Sequence, residues 1–190
     1  MRRFVPVVLL VLVACSKKDP EPSAAPPVPT MHIEGTPAAS TTPAPAAGDV
    51  AWTAPASWQS APNPSAMRKA TYKITKAAGD TEDAEMSIMS AMGGADANIK
   101  RWAGQFGDAQ PKTETRTVNG LKVTVAELHG TYASGGMMGG PATPKPKQML
   151  LGAIVEAGQQ EYFFKLTGPE ATVTAARKDF DALVSSVHAK

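Results

Sequence analysis

The dipeptide Asn119-Gly120 constrains the fold more than any other feature of this chain. It separates two runs rich in β-forming residues, 113–118 and 121–131. Asparagine followed by glycine readily supplies the two consecutive positive-φ positions that a two-residue hairpin turn requires. Every second residue from Leu121 to Val125 is apolar, as expected for a strand with one buried face. The sequence therefore predicts a hairpin, and with it an antiparallel sheet.

Further strands are predicted where β-branched, aromatic and methionine residues cluster between polar turns. These segments are 50–52, 67–76, 85–90, 149–155 and 161–167. A polar tip at 79–83 joins the second and third of them, and Ala157 to Gln160 joins the last two. The segment 133–147, rich in glycine and proline, is predicted to be a long loop.

Two amphipathic helices are predicted. In the first, the apolar residues Ile99, Trp102, Ala103 and Phe106 form one stripe, and Asp96 is the expected N-cap. The second follows Gly168-Pro169-Glu170, with proline expected at its first helical position. The predicted fold class is α+β: a curved, mainly antiparallel sheet of about six to seven strands with two helices packed on it.

The N-terminus has the pattern of an export signal. Arg2 and Arg3 precede ten residues, Phe4 to Val13, that are almost wholly apolar. This run is too short to cross a bilayer, which takes roughly 20 residues. The residues Leu12-Val13-Ala14-Cys15 resemble the bacterial lipobox. That resemblance implies cleavage between Ala14 and Cys15, a diacylglycerol on the Cys15 thiol, and usually an acyl chain such as palmitate on the new amine.

The segment that follows is predicted to be a spacer. From Ser16 to Asp49 it alternates proline with alanine, serine and threonine and has no hydrophobic period. Such a composition cannot bury enough apolar area to offset chain entropy, so a semi-stiff tether is expected. A ligand for proline-recognition domains is the alternative. The expected organisation is a signal at 1–14, a lipidated cysteine and tether at 15–49, and one α+β domain at 50–190.

Charge and cysteine content exclude some classes of protein. The chain has 19 basic and 17 acidic residues, and removal of Arg2 and Arg3 with the signal leaves 17 of each. A neutral mature chain argues against nucleic acid as a partner and against a polybasic membrane patch. Membrane attachment is therefore expected through the lipid. Cys15 is the only cysteine, so no disulfide is expected and the domain must rest on its core.

Several segments of the predicted domain together resemble a family of bacterial secreted lipoproteins without an assigned activity. They are Trp52-Thr53-Ala54-Pro55, Asn98-Ile99-Lys100-Arg101-Trp102 and Phe163-Phe164-Lys165-Leu166-Thr167-Gly168-Pro169-Glu170. The order of elements also resembles the PsbP-like fold, in which a curved antiparallel sheet lies between helices. This second resemblance implies binding or assembly rather than catalysis.

No catalytic set is evident in the sequence. His32, His129 and His188 lie far apart along the chain, and no nucleophile-elbow, zinc-protease, P-loop or dinucleotide-binding motif occurs. We therefore expect a protein that is not an enzyme and needs no cofactor. A hydrolase whose residues come together only in the fold remains an alternative.

Two clusters of side chains contain possible metal ligands. The carboxylates of Asp80, Glu82, Asp83 and Glu85 could form a calcium site, but their spacing departs from that of an EF-hand loop. A solvated hairpin tip is the expected outcome. Met86, Met89 and Met92 could bind Cu(I) through their thioethers, yet a spacing of three residues alternates between the faces of a strand. These methionines are expected to fill gaps in the core or to make adaptable contacts, so no metal site is predicted.

The remaining candidates are a contact loop and a pocket. The loop would expose Met137, Met138, Lys145 and Lys147 to a partner, with an unstructured segment as the alternative. The aromatic rings of Trp102, Phe163 and Phe164 could line a ligand pocket, although core packing is expected.

The function expected from these patterns is that of a lipid-anchored binding or assembly module of the cell envelope. Its folded part would lie in the periplasm or at the cell surface. The absence of aspartate after Cys15 favours the outer membrane over the inner one, and an envelope protein is the expected partner. The alternatives are a small-molecule or metal carrier and an unrecognised hydrolase.

Overall fold

The computed structural model describes residues 49–133 and 143–190. Its main element is a seven-stranded sheet in which every pairing is antiparallel. The strands are β2 (Gln59–Ala61), β3 (Arg68–Ile74), β4 (Ala84–Ala91), β5 (Lys112–Val118), β6 (Leu121–Tyr132), β7 (Lys145–Ala157) and β8 (Gln160–Pro169). Their order across the sheet is β2-β3-β4-β8-β7-β6-β5. The α+β prediction with about six to seven antiparallel strands is confirmed.

A second, two-stranded sheet joins the first and last described segments. It consists of β1 (Val50–Ala51) and β9 (His188–Ala189), paired antiparallel. The amide of Lys190 extends the pairing by donating to the Asp49 carbonyl at 2.8 Å. Val50 is buried and Tyr162 donates its hydroxyl to Asp49 at 2.9 Å, so β1 is also attached to the main core.

The helices cover both faces of the seven-stranded sheet. Helix α1 (Ala95–Gly104) packs on one face, called here the α1 face, and α2 (Glu170–Ala175) and α3 (Arg177–Ser185) pack on the other. Strand β7 has side chains in both layers, with Leu150 and Ile154 facing α1, while Leu151 and Val155 face α2 and α3. Central strands buried on both faces explain the apolar stretches of β7 and β8. None of the described helices has the length and apolarity needed to span a membrane.

Three helix predictions need correction, and two of them concern the C-terminal helix. The predicted C-terminal helix bends at Ala176, whose ψ of −2° separates α2 from α3. The bend lets Val173 of α2 and Phe180 of α3 reach the same core. Pro169 is the last residue of β8, and its ψ of 138° keeps it outside α2.

Asp96 is the second residue of α1 and not its N-cap. Gly94 holds the N-cap position at a φ of 75°, and the Asn98 side chain donates to its carbonyl at 2.8 Å. A carboxylate in the first turn still interacts favourably with the helix dipole, which explains why the sequence favours aspartate there.

The predicted loop 133–147 is also wrong at its C-terminal end. Lys145 pairs with Tyr132 in the β6–β7 ladder, so Lys145, Pro146 and Lys147 belong to β7. The register is irregular next to Gly130, and Lys147 has a positive φ of 55°. Because of these irregularities, this part of the ladder does not show the regular alternation of apolar and polar residues that indicates a strand. Met137 and Met138 lie outside the described residues.

The Asn119-Gly120 hairpin is confirmed: the φ angles are 47° and 82°, and Val118 pairs with Leu121. Asn119 has a second role, because its side-chain amide donates to the carbonyls of Ser185 at 3.2 Å and Val187 at 2.8 Å. It therefore connects the hairpin to the end of α3.

Asn119→Ala is expected to lower the free energy of unfolding by about 2 kcal/mol, because both hydrogen bonds are lost and alanine is strained at positive φ. Asn119→Gly loses the same bonds without that strain, so it should cost roughly 1 kcal/mol less. Urea unfolding followed by circular dichroism measures both changes. An alanine variant as stable as the wild type would contradict the connecting role of Asn119.

Candidate functional site

Helix α1 covers only the middle of its face of the sheet. Its apolar residues pack on Ala126, Leu128, Leu150, Ile154 and Phe163, all from β6, β7 and β8. The outer strands on both sides of α1 therefore keep open surfaces on this face. We call the surface toward β5 the α1 groove, and the surface toward β3 and β4 the Lys165 pocket.

The α1 groove is the larger of the two, with a volume of about 830 Å³. It is open to solvent and lined mainly by small and polar residues from the start of α1 and from β5 and β6. Among them are Asp96, Lys100, Thr113, Thr115, Lys122 and Thr124. No histidine or methionine lines it, so His129, Met86, Met89 and Met92 lie outside the α1 groove.

Strand β5 forms one margin of this groove and one edge of the sheet. It pairs with β6 alone in the described part of the chain. Because Val118 and Leu121 flank a two-residue turn, they form a hydrogen-bonded pair. Alternation along an antiparallel ladder then directs the backbone N–H and C=O groups of Thr113, Thr115 and Thr117 away from β6. These groups are available to an additional strand.

The Lys165 pocket is smaller, with a volume of about 240 Å³. It is lined by polar and charged residues of β3, β4, β6, β7 and β8, including Arg68, Glu85, Ser87, Tyr132, Lys165 and Thr167. Lys165 and Thr167 are two residues apart in β8, so both side chains lie on the α1 face.

Lys165 is the half-buried cation of this pocket. Its ammonium group donates to Gln105 Oε1 at 2.6 Å and to the Tyr132 hydroxyl at 3.4 Å, and it lies 5.2 Å from the centroid of the Tyr132 ring. Burial lowers the pKa of Lys165, and the contacts with Tyr132 only partly oppose this effect. Within the described residues, no carboxylate forms an ion pair with Lys165.

The other cations of the pocket are already paired. Arg68 forms an ion pair with Glu85 at 2.7 Å, and Lys145 forms one with Glu82 at 2.5 Å. In contrast to these paired side chains, the Thr167 hydroxyl is buried and has no hydrogen-bond partner within the described ranges. A buried hydroxyl without a partner is uncommon and costs free energy, so it calls for an explanation.

The four clustered carboxylates serve different partners. Asp80 accepts hydrogen bonds from the Thr172 amide at 2.9 Å and from the Thr172 hydroxyl, so it caps α2 from the hairpin tip. Glu82 and Glu85 pair with Lys145 and Arg68 as described above. The remaining member, Asp83, pairs with Lys73 at 2.8 Å, and its hydrogen bonds to Lys73 and to the Lys76 amide lower its pKa. No group of carboxylates, histidines or cysteines in the described segments could hold a metal.

The methionines and aromatic residues considered as candidate sites do not form a binding site. Met86 is buried under α2 and α3, whereas Met92 is 78% exposed. The three methionines therefore do not converge on a common point. Trp102 and Phe163 meet edge to face on the α1 face, with ring centroids 6.4 Å apart, and Phe164 packs in the opposite layer. These aromatic rings fill the core, as expected, and line neither open surface.

His129 belongs to a polar network at the margin of the other face. Its ring contacts Glu127 Oε1 at 2.7 Å and Glu170 Oε1 at 3.0 Å, and Arg177 contacts Glu127 Oε2 at 2.8 Å. The hydrogen bond to Glu127 raises the pKa of His129, while burial opposes the shift. Burial would also raise the pKa of Glu127, but its hydrogen bonds to His129 and Arg177 outweigh burial and lower it. The network consists of ion pairs that join β6 to α2 and α3.

This network predicts a specific pH dependence. A raised folded-state pKa means that His129 stabilises the fold fully below its unfolded pKa of about 6.5 and loses that effect as pH rises through the folded value. The effect should stay below about 1 kcal/mol because the side chains are partly exposed. In urea unfolding at pH 5.5 and pH 9, His129→Gln should remove this component. His188→Gln is the control, because its ring contacts the Ser186 carbonyl and not a carboxylate; equal pH slopes for wild type and His129→Gln would contradict the assignment.

The sequence-based prediction missed the Lys165 pocket, although one signal for it is present. Lys165 interrupts the apolar run Tyr162 to Leu166, in a strand buried on both faces. Charged residues are rarely placed on such strands without a partner or a role. The loop hypothesis selected Lys145 for a contact surface, and Lys145 does line this pocket, as part of β7. His32, Ala14 and Cys15 lie outside the described residues.

No protein-family model and no curated protein matches this chain. Solved structures with a similar fold include cyanobacterial PsbP (CyanoP) from Synechocystis sp. PCC 6803, at 14% sequence identity and a TM-score of 0.47, covering 82% of this chain and 100% of that one. They also include LpqN, involved in cell envelope biogenesis of Mycobacterium tuberculosis, at 12% identity and a TM-score of 0.44, covering 78% of this chain and 86% of that one.

Proposed function

We propose that this chain is a lipid-anchored, non-catalytic binding module of the cell envelope, attached to the outer membrane through Cys15. Its partner is an envelope protein that presents an extended segment to the β5 edge and the α1 groove. The observation that carries this proposal is the edge of β5, which pairs only with β6 among the described strands, beside the open groove. A strand edge next to a groove is a common arrangement for peptide binding by strand addition.

The chemistry of the groove defines the partner segment. The outward backbone groups of Thr113, Thr115 and Thr117 would supply main-chain hydrogen bonds. Their side chains face the α1 side, where the lining carries hydroxyls and charges of both signs. The opposite face of β5 carries Lys112, Glu114 and Arg116, which discourage pairing with an apolar strand. A polar segment of low net charge therefore fits this surface best.

The anchor completes the proposal. The lipobox-like residues Leu12 to Cys15 and the proline-rich spacer after them would hold the domain at the membrane while letting it reach a partner. Ser16 supports outer-membrane sorting because aspartate is absent there.

The Lys165 pocket favours a second candidate, the binding of a small molecule, at a separate site on the same sheet face.

Crosslinking in intact cells tests the docking edge. A photocrosslinking amino acid replaces the exposed Thr117 in the full-length chain, and the same group at Lys178, on the opposite face, is the matched control. The expected result is a discrete adduct from position 117 alone. Thr115→Pro should abolish it, because proline removes an outward N–H while leaving the β5–β6 ladder intact. Thr115→Val keeps that N–H and should retain the adduct. Equal adducts from both positions, or from the proline variant, would refute docking at β5.

Cys15→Ala tests the anchor in the same cells. Without the acyl chains the protein should leave the outer-membrane fraction, and the adduct at position 117 should weaken because the local concentration of partner falls. Fractionation of the wild type with the inner membrane would overturn the assignment to the outer membrane.

A further inference from the structure

We propose that the Lys165 pocket is a binding site for a small monocarboxylate, with the Lys165 ammonium group as its anchoring cation. The site is distinct from the β5 edge and does not depend on docking there. Three features of the pocket support it: a cation and a buried hydroxyl that have no counterion and no hydrogen-bond partner, respectively, among the described residues, and a balance of charge that admits one negative charge.

The first feature is the hydrogen-bonding capacity of Lys165. An ammonium group has three donors, and two of them point to the neutral acceptors Gln105 Oε1 and Tyr132 Oη. The pocket therefore contains a desolvated positive charge that no carboxylate of the described chain neutralises. A half-buried cation in this state is stabilised when an anion enters the pocket and forms an ion pair with it.

The second feature is the hydroxyl of Thr167. Thr167 lines the same pocket, and its hydroxyl is buried and has no partner in the described ranges. Lys165 and Thr167 are separated by about 6.6 Å along β8, the distance of two strand residues. If the Thr167 side chain rotates its hydroxyl toward the pocket, a carboxylate between them could accept one hydrogen bond from each donor, which matches its two oxygens. This contact would explain why a buried hydroxyl is left unpaired.

The third feature limits the charge and size of the ligand. Arg68 and Lys145 are neutralised by Glu85 and Glu82, and the third carboxylate of the lining, Asp83, is neutralised by Lys73, so a single negative charge suffices to balance Lys165. A dianion such as phosphate would face these carboxylates and be repelled. The volume of about 240 Å³ lies below the range of about 300–1,000 Å³ typical of pockets for drug-sized ligands, so the carbon chain must be short.

Titration with sodium butanoate tests the site, at constant ionic strength and neutral pH, on the full mature chain. Chemical-shift changes of Lys165 and Thr167 should saturate with a Kd on the order of 1 mM. Lys165→Met should weaken binding at least about tenfold. Lys178→Met removes the same charge from an exposed position on the opposite face and should leave the Kd unchanged.

Three outcomes would overturn the proposal: no saturable shifts in the wild type, equal affinity in Lys165→Met, or phosphate binding as tightly as butanoate. Amide spectra establish that each variant is folded. If Lys165→Met does not fold, Thr167→Val takes its place, since it keeps the size of the side chain and removes only the donor. The valine variant should lose severalfold in affinity, and an unchanged Kd would equally refute the site. Adduct formation at position 117 is unaffected by any of these results.

Discussion

Phe164→Ala is expected to lower the free energy of unfolding by about 3–5 kcal/mol. Phe164 is fully buried in the middle strand β8, where it is in register with Ile88 of β4 and Ala153 of β7. Its ring meets Trp52 edge to face, with the centroids 5.6 Å apart. Truncation removes the buried contacts of the ring and leaves a cavity between the sheet and α2–α3. The cavity persists because the central strands cannot move inward to fill it.

Urea unfolding followed by circular dichroism measures this loss. Met92→Ala is the matched control, because Met92 directly follows β4, is 78% exposed and should change stability by less than about 0.5 kcal/mol. A loss below about 1 kcal/mol in Phe164→Ala would mean that the layer between β8 and α2–α3 is packed more loosely than the structure describes.

Gly152→Ala should lower the free energy of unfolding by about 3 kcal/mol through overpacking. An added Cβ at this position of β7 would lie 2.2 Å from Trp102 Cζ3 and within 3 Å of two further ring atoms. Trp102 cannot withdraw easily because its ring is buried against Phe163. Glycine is therefore required here for the close approach of α1 to the sheet, and not for its backbone freedom.

A double-mutant cycle isolates this clash. In a Trp102→Leu background the ring atoms are absent, so the alanine at position 152 should cost roughly 2 kcal/mol less than in the wild type. Gly104→Ala in α1 is the control substitution, since its Cβ would meet only Asp108 Oδ1 at 3.7 Å and helix propensity favours alanine. Equal costs of Gly152→Ala in both backgrounds would exclude Trp102 as the cause.

The parts of the fold that the sequence predicts well are those determined by neighbouring residues. The turn at Asn119-Gly120, the β3–β4 and β7–β8 hairpins and the stripe of α1 all follow from local chemistry, and all are confirmed. The errors arise where a distant contact decides the conformation. Lys145 belongs to β7 because Tyr132 pairs with it, and α2 bends away from α3 because Val173 and Phe180 share one core.

The candidate site was harder to predict for the same reason. Lys165, Tyr132 and Gln105 are separated by at least 27 residues of sequence, and only the fold brings their polar atoms together. The density of carboxylates between Asp80 and Glu85 suggests a metal site, yet these carboxylates contact four different partners. Local density of one residue type is thus a weaker signal than a single charge in a strand that is otherwise apolar.

The pairing of β1 with β9 determines how the domain would respond to mechanical force. A pull transmitted through the chain preceding Asp49 reaches the Lys190–Asp49 hydrogen bond first, then the pairs Val50–Ala189 and Ala51–His188. Because the strands are antiparallel and the load enters at the end of β1, these contacts would open one after another, like a zipper, and would not share the load. A pull from that side would therefore release a short length of chain before it strains the seven-stranded sheet.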